Sequence, residues 1–295
     1  MIMAEPLVSQ PMRPADTLER PQFTMPEGAV DAHMHVFGPL AFYPSVAHPH
    51  YTLPDGNLDQ YRAVMRVLGL RRFVIVQPSF YDTDNRCLID TLRVAGEDAR
   101  GVVMIDPDID DDVLRDYAAA GVCGVRLDLF KRAGLPFEEI QAFIDVMAAK
   151  VAPLGWHLQF YAPGYIVRDL IDFLATLRIE FVIDHMGYML EEDGLTEADF
   201  TRLLALMKQG HCWLKLSAPY RLAKKRGMDA VNGIAKAIVA AAPERAIWGS
   251  DWPHIPEGAR DTGALLNLLS IWAPDPAIRK MILVDNPGRL LGFAG

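Results

Sequence analysis

The chain has 295 residues, of which 51% are hydrophobic and 23% are charged, and its formal net charge is −9. Because neutralising nucleic-acid phosphates requires a basic face, this balance argues against a nucleic-acid partner, and an anionic ligand would need local arginines. With no apolar run of about 18 residues and no basic, apolar leader, the sequence predicts no membrane partner, no export and a cytoplasmic location. Its three cysteines, Cys87, Cys123 and Cys212, lack metal-type spacing and fit a reducing compartment.

The first 26 residues differ from the remainder of the chain. Residues 1–26 are rich in Pro, Met and polar side chains and lack periodicity, which predicts an arm that lies on the surface or is partly disordered. Residues 27–295 exceed the usual domain length of about 100–200 residues, but single α/β barrels reach about 250 residues. The sequence therefore predicts one large domain that follows a short arm.

After the arm, short β-branched or apolar runs that end in polar residues alternate with amphipathic stretches. Eight strands are predicted, at 29–36, 73–76, 101–105, 122–127, 156–160, 180–183, 212–216 and 246–248. Helices are predicted at 58–68, 85–96, 110–120, 137–152, 165–177 and 197–208, the last with Thr196 as its N-cap. This alternation indicates an α/β protein with a parallel (β/α)8 barrel, the TIM-barrel architecture. A doubly wound open sheet is the alternative, but the Gly-rich phosphate turn that it needs after an early strand is absent.

Polar residues stand where several predicted strands end. His33 and His35 lie two apart in an extended run and project to the same side, and a pair of imidazoles suits a metal ion or a polarised oxygen. Tyr161, His185 and Asp251 follow strands five, six and eight. Since the chemistry of (β/α)8 barrels lies at the carboxyl ends of the strands, these residues are predicted to converge on one rim.

Four motifs carry a resemblance to a known family: His33-Met34-His35, Val182-Ile183-Asp184-His185-Met186-Gly187, Trp248-Gly249-Ser250-Asp251-Trp252-Pro253-His254 and Asp285-Asn286-Pro287. Through them the chain resembles the amidohydrolase superfamily, in the branch that contains 2-pyrone-4,6-dicarboxylate lactonase and sulfomuconolactone hydrolase. The resemblance implies a (β/α)8 barrel that hydrolyses the lactone ring of a small anionic organic acid. It also implies that Asp251 activates water and that His33, His35 and His185 surround the lactone carbonyl.

The resemblance extends to substrate binding, with two departures. Tyr81 stands where the pyrone lactonase has a histidine, and Tyr188 stands where it has an arginine. One cationic contact is therefore missing, and a lactone that is less charged, aromatic or sulfonated is an equal alternative to the dicarboxylate. The predicted substrate-binding residues are Ser79, Tyr81, Arg126, Arg132, Tyr161, Tyr188, Arg221 and His254.

Members of this branch differ in their use of metal, since the pyrone lactonase works without a divalent ion and sulfomuconolactone hydrolases use zinc. Three imidazoles and a carboxylate are suitable ligands for zinc, so a Zn²⁺ site is predicted at His33, His35, His185 and Asp251. A metal-free mechanism is the alternative. Two other functions stay open: a metal-dependent non-oxidative decarboxylase, as found elsewhere in the superfamily, and a lactone-binding module without catalysis. The predicted partner is a small anionic lactone, and a homo-oligomer is left open.

Overall fold

Eight parallel strands form the centre of the protein. The computed structural model describes residues 7–46, 51–54, 56–189 and 195–293. Strands that follow one another in the chain are hydrogen-bonded neighbours in the sheet. The last strand closes onto the first, because the Asp251 amide donates to the His33 carbonyl at 2.8 Å and the His35 amide donates to the Trp252 carbonyl at 2.8 Å. The strands are β1 (Val30–Met34), β2 (Arg72–Val76), β3 (Ala99–Val103), β4 (Val122–Asp128), β5 (His157–Tyr161), β6 (Phe181–Ile183), β7 (Cys212–Leu216) and β8 (Ala246–Trp248).

Helices alternate with these strands, so the predicted (β/α)8 barrel is confirmed. They are α1 (Leu58–Leu68), α2 (Arg86–Ala95), α3 (Asp111–Ala119), α4 (Phe137–Val151), α5 (Gly164–Leu174), α6 (Glu197–Lys208), α7 (Pro219–Ala241), α8 (Thr262–Asn267), α9 (Leu269–Trp272), α10 (Pro276–Lys280) and α11 (Asn286–Leu291). Single 3-10 turns lie at Ala15–Thr17, Gly96–Asp98, Ala152–Leu154 and Pro243–Arg245, and a π turn lies at Met281–Asp285. Within the described part of the chain, no helix is both long and apolar enough to span a membrane.

The helix bounds show which sequence signals are reliable. Both α1 and α6 begin and end as predicted, and each starts with a capping box, on Asn57 for α1 and on Thr196 for α6. The sequence analysis does not predict α7, which has 23 residues and a break at Gly227, where φ is +76°. The glycine and the basic run before it interrupt the apolar periodicity, although packing against the barrel still forms the helix.

The barrel interior changes character along the strands. One buried cluster joins apolar side chains of six strands: Val30, Ala32, Val74, Val76, Val102, Val182, Trp213 and Ile247. Two positions beyond Val182 and Trp213, on the same faces, lie Asp184 and Lys215, which are also buried. The interior is therefore apolar near the amino ends of the strands and polar near their carboxyl ends.

Residues 7–13 of the arm contact loops at the carboxyl rim of the barrel. The Thr52 amide donates to the Leu7 carbonyl at 2.8 Å, and the Gln10 amide donates to the Pro256 carbonyl at 2.8 Å. These bonds connect the arm to the loops after β1 and β8. The described part of the arm therefore contacts loops that carry residues of the site below.

Asp261 connects the arm to a helix, and its loss should destabilise the fold. Its carboxylate accepts from the Glu19 amide at 3.1 Å and, as the N-cap of α8, from the amides of Gly263 and Ala264 at 2.9 and 3.0 Å. We expect Asp261→Ala to lower the free energy of unfolding by about 1–2 kcal/mol, measured by urea denaturation. Asp16→Ala, at an exposed position of the arm, is the control. Equal unfolding free energies for the two variants would contradict this role.

Candidate active site

Three histidines converge on one carboxylate at the carboxyl rim of the barrel. The Nε2 atoms of His35, His33 and His185 lie 3.4, 3.6 and 3.9 Å from Oδ1 of Asp251. All four side chains are buried, and His35 is the most exposed of them at 7%. The structure thus brings together the four residues that the sequence analysis assigns to catalysis and metal binding.

A cavity opens onto this cluster. Two arginines, Arg126 and Arg221, contribute positive charge to its lining. The aromatic and apolar part of the wall comes from Phe37, Tyr51, Pro78, Tyr161 and Ile255. A cavity with this lining is suited to a small, flat, anionic molecule, because the rings and aliphatic groups cover an apolar face while the arginines pair with acidic groups.

The backbone turns sharply where β6 and β8 end, and this aims two of the four side chains. His185, Met186 and Tyr188 have φ values of +52°, +53° and +52°, and Asp251 has φ of +62°. Non-glycine residues seldom adopt this left-handed conformation, and such residues cluster at functional sites. The turns direct His185 and Asp251 into the barrel mouth.

Gly249 lets β8 approach β1 directly beneath the site. A Cβ atom at this position would lie 2.5 Å from Cβ of His33. Gly249→Ala should therefore displace His33 and lower kcat/KM about a hundredfold, because a misplacement of about 1 Å has effects of that size. Gly233→Ala is the matched control, since nothing lies within 4 Å of a Cβ there. Steady-state kinetics that do not distinguish the two variants would refute this role of Gly249.

The two oxygens of Asp251 have different partners. Oδ2 accepts hydrogen bonds from the Tyr220 hydroxyl at 2.5 Å and from Nε and Nη2 of Arg221 at 3.1 and 3.0 Å. Burial alone would raise the pKa of Asp251, but Arg221 and His185 hold it well below its usual value. Asp251 is therefore ionised at neutral pH, with Oδ2 bound and Oδ1 directed at the histidines. The sequence analysis assigns Arg221 to the substrate and does not predict this pairing.

The partners of the histidine Nδ1 atoms constrain where each ring carries its proton. His35 Nδ1 lies 2.7 Å from the carbonyl oxygen of Val76, which only accepts, so in the neutral ring the proton is on Nδ1 and the lone pair on Nε2. His185 Nδ1 lies 2.8 Å from the Ser217 hydroxyl, which permits either form. Burial lowers the pKa of His185 to about 4 and, together with Lys215, holds the pKa of His33 well below its usual value. Both of these rings are neutral at pH 7.

The cluster has the donor types and the spacing of a metal site. A neutral His35 ring would place the Nε2 lone pair 3.4 Å from Asp251 Oδ1, so that two acceptors would face each other with room for a proton or a cation between them. Ligand atoms around a tetrahedral zinc ion, with bonds of 2.0–2.1 Å, lie about 3.3–3.4 Å apart. His33 Nε2 is buried without a hydrogen-bond partner among the described residues. These residues therefore fit a divalent metal, and His33, His35 and Asp251 form a possible binding group.

A buried polar network lies under His33, and the sequence analysis does not predict it. Lys215 Nζ donates to Gln159 Oε1 at 2.8 Å and lies 3.2 Å from both His33 Nδ1 and Asp184 Oδ1. Gln159 Nε2 in turn donates to Asp184 Oδ2 at 3.0 Å. Burial would raise the pKa of Asp184, but Lys215 and His33 hold it well below its usual value, so Lys215 and Asp184 form an ion pair. A lysine within the otherwise apolar run of β7 is the signal that could have identified this network.

Two further predicted residues line the cavity. The Arg126 guanidinium donates through Nη1 to the Gln77 carbonyl at 3.0 Å, and its central carbon lies 4.3 Å from the centre of the Tyr161 ring. Ser79 donates to Asp128 at 2.5 Å. Arg126 Nε lies 3.6 Å from Asp184 Oδ2, an ion pair without a hydrogen bond, and has no hydrogen-bond partner among the described residues. Arg126 is therefore a buried cation at the cavity wall whose donors are not all used.

Arg132 and Tyr81, also predicted to bind substrate, lie outside the cavity lining. The chain after β4 turns outward, and the Arg132 guanidinium packs 3.8 Å from the centre of the Phe143 ring on α4. Tyr81 is buried behind Phe37, with ring centres 5.9 Å apart, and its hydroxyl accepts from the Gly38 amide at 3.2 Å. Neither side chain reaches the lining in this structure.

Tyr188 and His254 likewise support the site from behind. The Tyr188 ring packs against His185 and Tyr161, with ring centres 5.5 and 6.0 Å apart. His254 Nε2 lies 2.9 Å from the Thr262 hydroxyl, and its ring packs 5.8 Å from the Tyr220 ring. Both residues therefore contact groups that hold or form the cluster.

Comparisons with known proteins place the chain in a family. A family model described as amidohydrolase matches residues 30–293. The chain is 35% identical to a 2-pyrone-4,6-dicarboxylate hydrolase of Comamonas testosteroni, and the match covers 92% of each chain. It is 34% identical to a 4-sulfomuconolactone hydrolase of Hydrogenophaga intermedia, over 92% of this chain and 91% of the relative. An apo crystal structure from Agrobacterium tumefaciens, 28% identical, superposes with a TM-score of 0.80 and covers 93% of this chain and 99% of its own. The protein belongs to the amidohydrolase family.

Proposed function

We propose that the protein hydrolyses the lactone ring of a small anionic organic acid that resembles 2-pyrone-4,6-dicarboxylate or 4-sulfomuconolactone. The observation that carries this proposal is the ionised Asp251, whose Oδ1 faces three imidazoles at the end of a cavity that is lined by two arginines. The relatives from Comamonas testosteroni and Hydrogenophaga intermedia are lactone hydrolases, and the chain matches 92% and 91% of their lengths. This similarity supports the same reaction class here.

In this reaction Asp251 transfers the proton, and the histidines stabilise the negative charge that develops on the carbonyl oxygen. Oδ1 of Asp251 takes a proton from water as the water oxygen bonds to the lactone carbonyl carbon. The ring carbon–oxygen bond then breaks, and Asp251 returns the proton to the leaving enol or alkoxide oxygen. The carbonyl oxygen becomes negative in between, and each fixed donor toward such an oxyanion contributes about 2.7–4 kcal/mol in comparable sites.

A divalent metal, with zinc as the candidate, would be held by His33, His35 and Asp251, and His185, whose Nε2 lies 3.9 Å from Asp251 Oδ1, is the fourth candidate ligand. When bound, such an ion lowers the pKa of water to about 7. Asp251 alone is a weak base toward water, because Arg221 and His185 hold its pKa well below the usual value. The low pKa of this carboxylate therefore favours a mechanism in which a metal makes the attacking water more acidic.

Arg126 is the residue we assign to the acidic group of the substrate, because it is a buried cation at the cavity wall. We expect Arg126→Met to raise KM for a carboxylated lactone roughly ten- to hundredfold and to change KM for its methyl ester little. Arg132→Met is the matched control, because that arginine packs on Phe143 outside the lining. If acid and ester respond equally to Arg126→Met, or if Arg132→Met has the same effect, the assignment fails.

A further inference from the structure

Ser79 and Asp128 form a hydrogen-bonded pair in the wall of the cavity. Ser79 belongs to the lining, and Asp128, whose surface is only 3% exposed, is buried behind it. The Ser79 hydroxyl oxygen lies 2.5 Å from Oδ2 of Asp128. Asp128 ends β4 two positions after Arg126, so the two side chains project to the same side of that strand. The pair therefore lies beside the arginine that we assign to the acidic group of the substrate.

The partners of the Asp128 carboxylate fix the direction of this hydrogen bond. Oδ1 of Asp128 accepts from the Lys131 amide at 3.3 Å, and Oδ2 faces the Ser79 hydroxyl. An ionised carboxylate accepts hydrogen bonds and has no hydrogen to donate, so Ser79 donates its only hydroxyl hydrogen to Asp128. The Ser79 oxygen is then left with lone pairs alone, and it can only accept a hydrogen bond from a ligand.

A second acid group on the substrate is disfavoured at this wall for two reasons. A carboxylate only accepts, so it could pair with Ser79 only if the serine hydrogen left Asp128, whose buried oxygen would then lose its partner. The negative charge of Asp128, one hydrogen bond behind the wall, would also repel a second negative charge. A hydroxyl group on the substrate meets neither difficulty, because it can donate to the Ser79 oxygen.

The two arginines of the described lining differ in what they can offer to an acid group. Arg221 donates two hydrogen bonds to Oδ2 of Asp251, so its charge is already paired. Arg126 donates to a backbone carbonyl and makes no hydrogen bond to a carboxylate among the described residues, although its Nε lies 3.6 Å from Asp184. Asp184 in turn is paired with Lys215. Arg126 is therefore the lining arginine that is best suited to receive an acid group, and the other arginine is already engaged.

We propose that Asp128 is a positioning residue that sets substrate specificity through Ser79. In this arrangement the wall selects a lactone with one acid group, bound by Arg126, and with a hydrogen-bond donor such as a hydroxyl group at Ser79. That the bound ring is a lactone rests on the proposed function. The choice between a hydroxyl group and a second carboxylate does not, because it depends only on the contacts of Ser79, Asp128 and Arg126.

Stable aromatic acids test this selection without any ring opening. Benzoate, 3- and 4-hydroxybenzoate, and the 1,3- and 1,4-dicarboxylates of benzene are flat anions, and isothermal titration calorimetry on the unaltered protein measures their Kd. We expect the better-bound hydroxybenzoate to bind about ten- to hundredfold more tightly than the dicarboxylate with the same substitution pattern, and more tightly than benzoate. A dicarboxylate that binds as tightly as its hydroxybenzoate counterpart would overturn the proposal, and this measurement requires no variant to fold.

Asp128→Asn separates this role from a merely structural one. The asparagine amide can donate to the Ser79 oxygen, which frees the serine hydrogen for a carboxylate, and the substitution also removes the negative charge. We expect the dicarboxylate to bind about tenfold more tightly to the variant while the hydroxybenzoate binds less tightly. Structural damage would instead weaken the binding of both ligands.

Asp106→Asn is the matched control for this experiment, because Asp106 is an exposed aspartate that follows β3 at the same end of the barrel. It should change neither Kd. A folded Asp128→Asn protein that keeps the original order of affinities would refute the proposal. This outcome is distinct from a failure of the proposed function, because hydrolysis is measured separately, on lactones.

Discussion

Asp251→Asn should lower kcat for lactone hydrolysis by about three to four orders of magnitude while KM changes little. Asparagine keeps the shape of the side chain and its place beside Tyr220 and Arg221, but it removes the base that accepts the proton of water. Steady-state kinetics on an anionic lactone measures the effect. Asp106→Asn is the control, because Asp106 is an exposed aspartate that follows β3 at the same end of the barrel.

A folded Asp251→Asn protein that keeps most of its turnover would remove Asp251 from the mechanism. A loss that appears only in KM would mean that the carboxylate organises binding and not proton transfer. In either case the position of Asp251 among three histidines would need another explanation.

Removal of metal is expected to have the other large effect. Protein purified from zinc-supplemented medium should carry close to one equivalent of zinc, and chelation should abolish most of the activity in a way that added zinc restores. His185→Asn should lower metal content and rate together, because it removes one of the four candidate ligands. His211→Asn should lower neither, since His211 precedes β7 at the opposite end of the barrel and is partly exposed.

Elemental analysis alongside kinetics tests this prediction. A preparation that is free of metal and fully active would refute the metal assignment. It would leave Asp251 as the base and the lactone as the substrate, because neither assignment depends on the ion.

The sequence predicts the strand ends well because two independent signals coincide there. A buried parallel strand is a short apolar run, and the polar residues that follow it mark the carboxyl rim. His33, His35, His185 and Asp251 could be placed at one rim on that basis, and the structure brings them together. The direction in which a loop turns carries no such signal, and Arg132, a predicted substrate-binding residue, packs on Phe143 in the structure.

Contacts across the barrel are the part that sequence patterns do not reveal. Lys215 is 182 positions from His33 in the chain, and only the closed sheet brings the two within 3.2 Å. Arg221 follows β7 as expected for a residue at the rim, but its pairing with Asp251 depends on the turn after β8. Alternation along β7 marks Lys215 as an interior residue, yet it does not indicate which groups the lysine meets there.

The measurement that tests the central claim most directly is product analysis by mass spectrometry after incubation of anionic lactones with the protein in heavy-oxygen water. Lactone hydrolysis predicts a product with one added water, and its new carboxylate should contain one heavy oxygen atom. Asp251→Asn should form this product far more slowly. Release of carbon dioxide without ring opening would contradict the account and indicate a decarboxylase, and tight lactone binding with no product would indicate a binding protein.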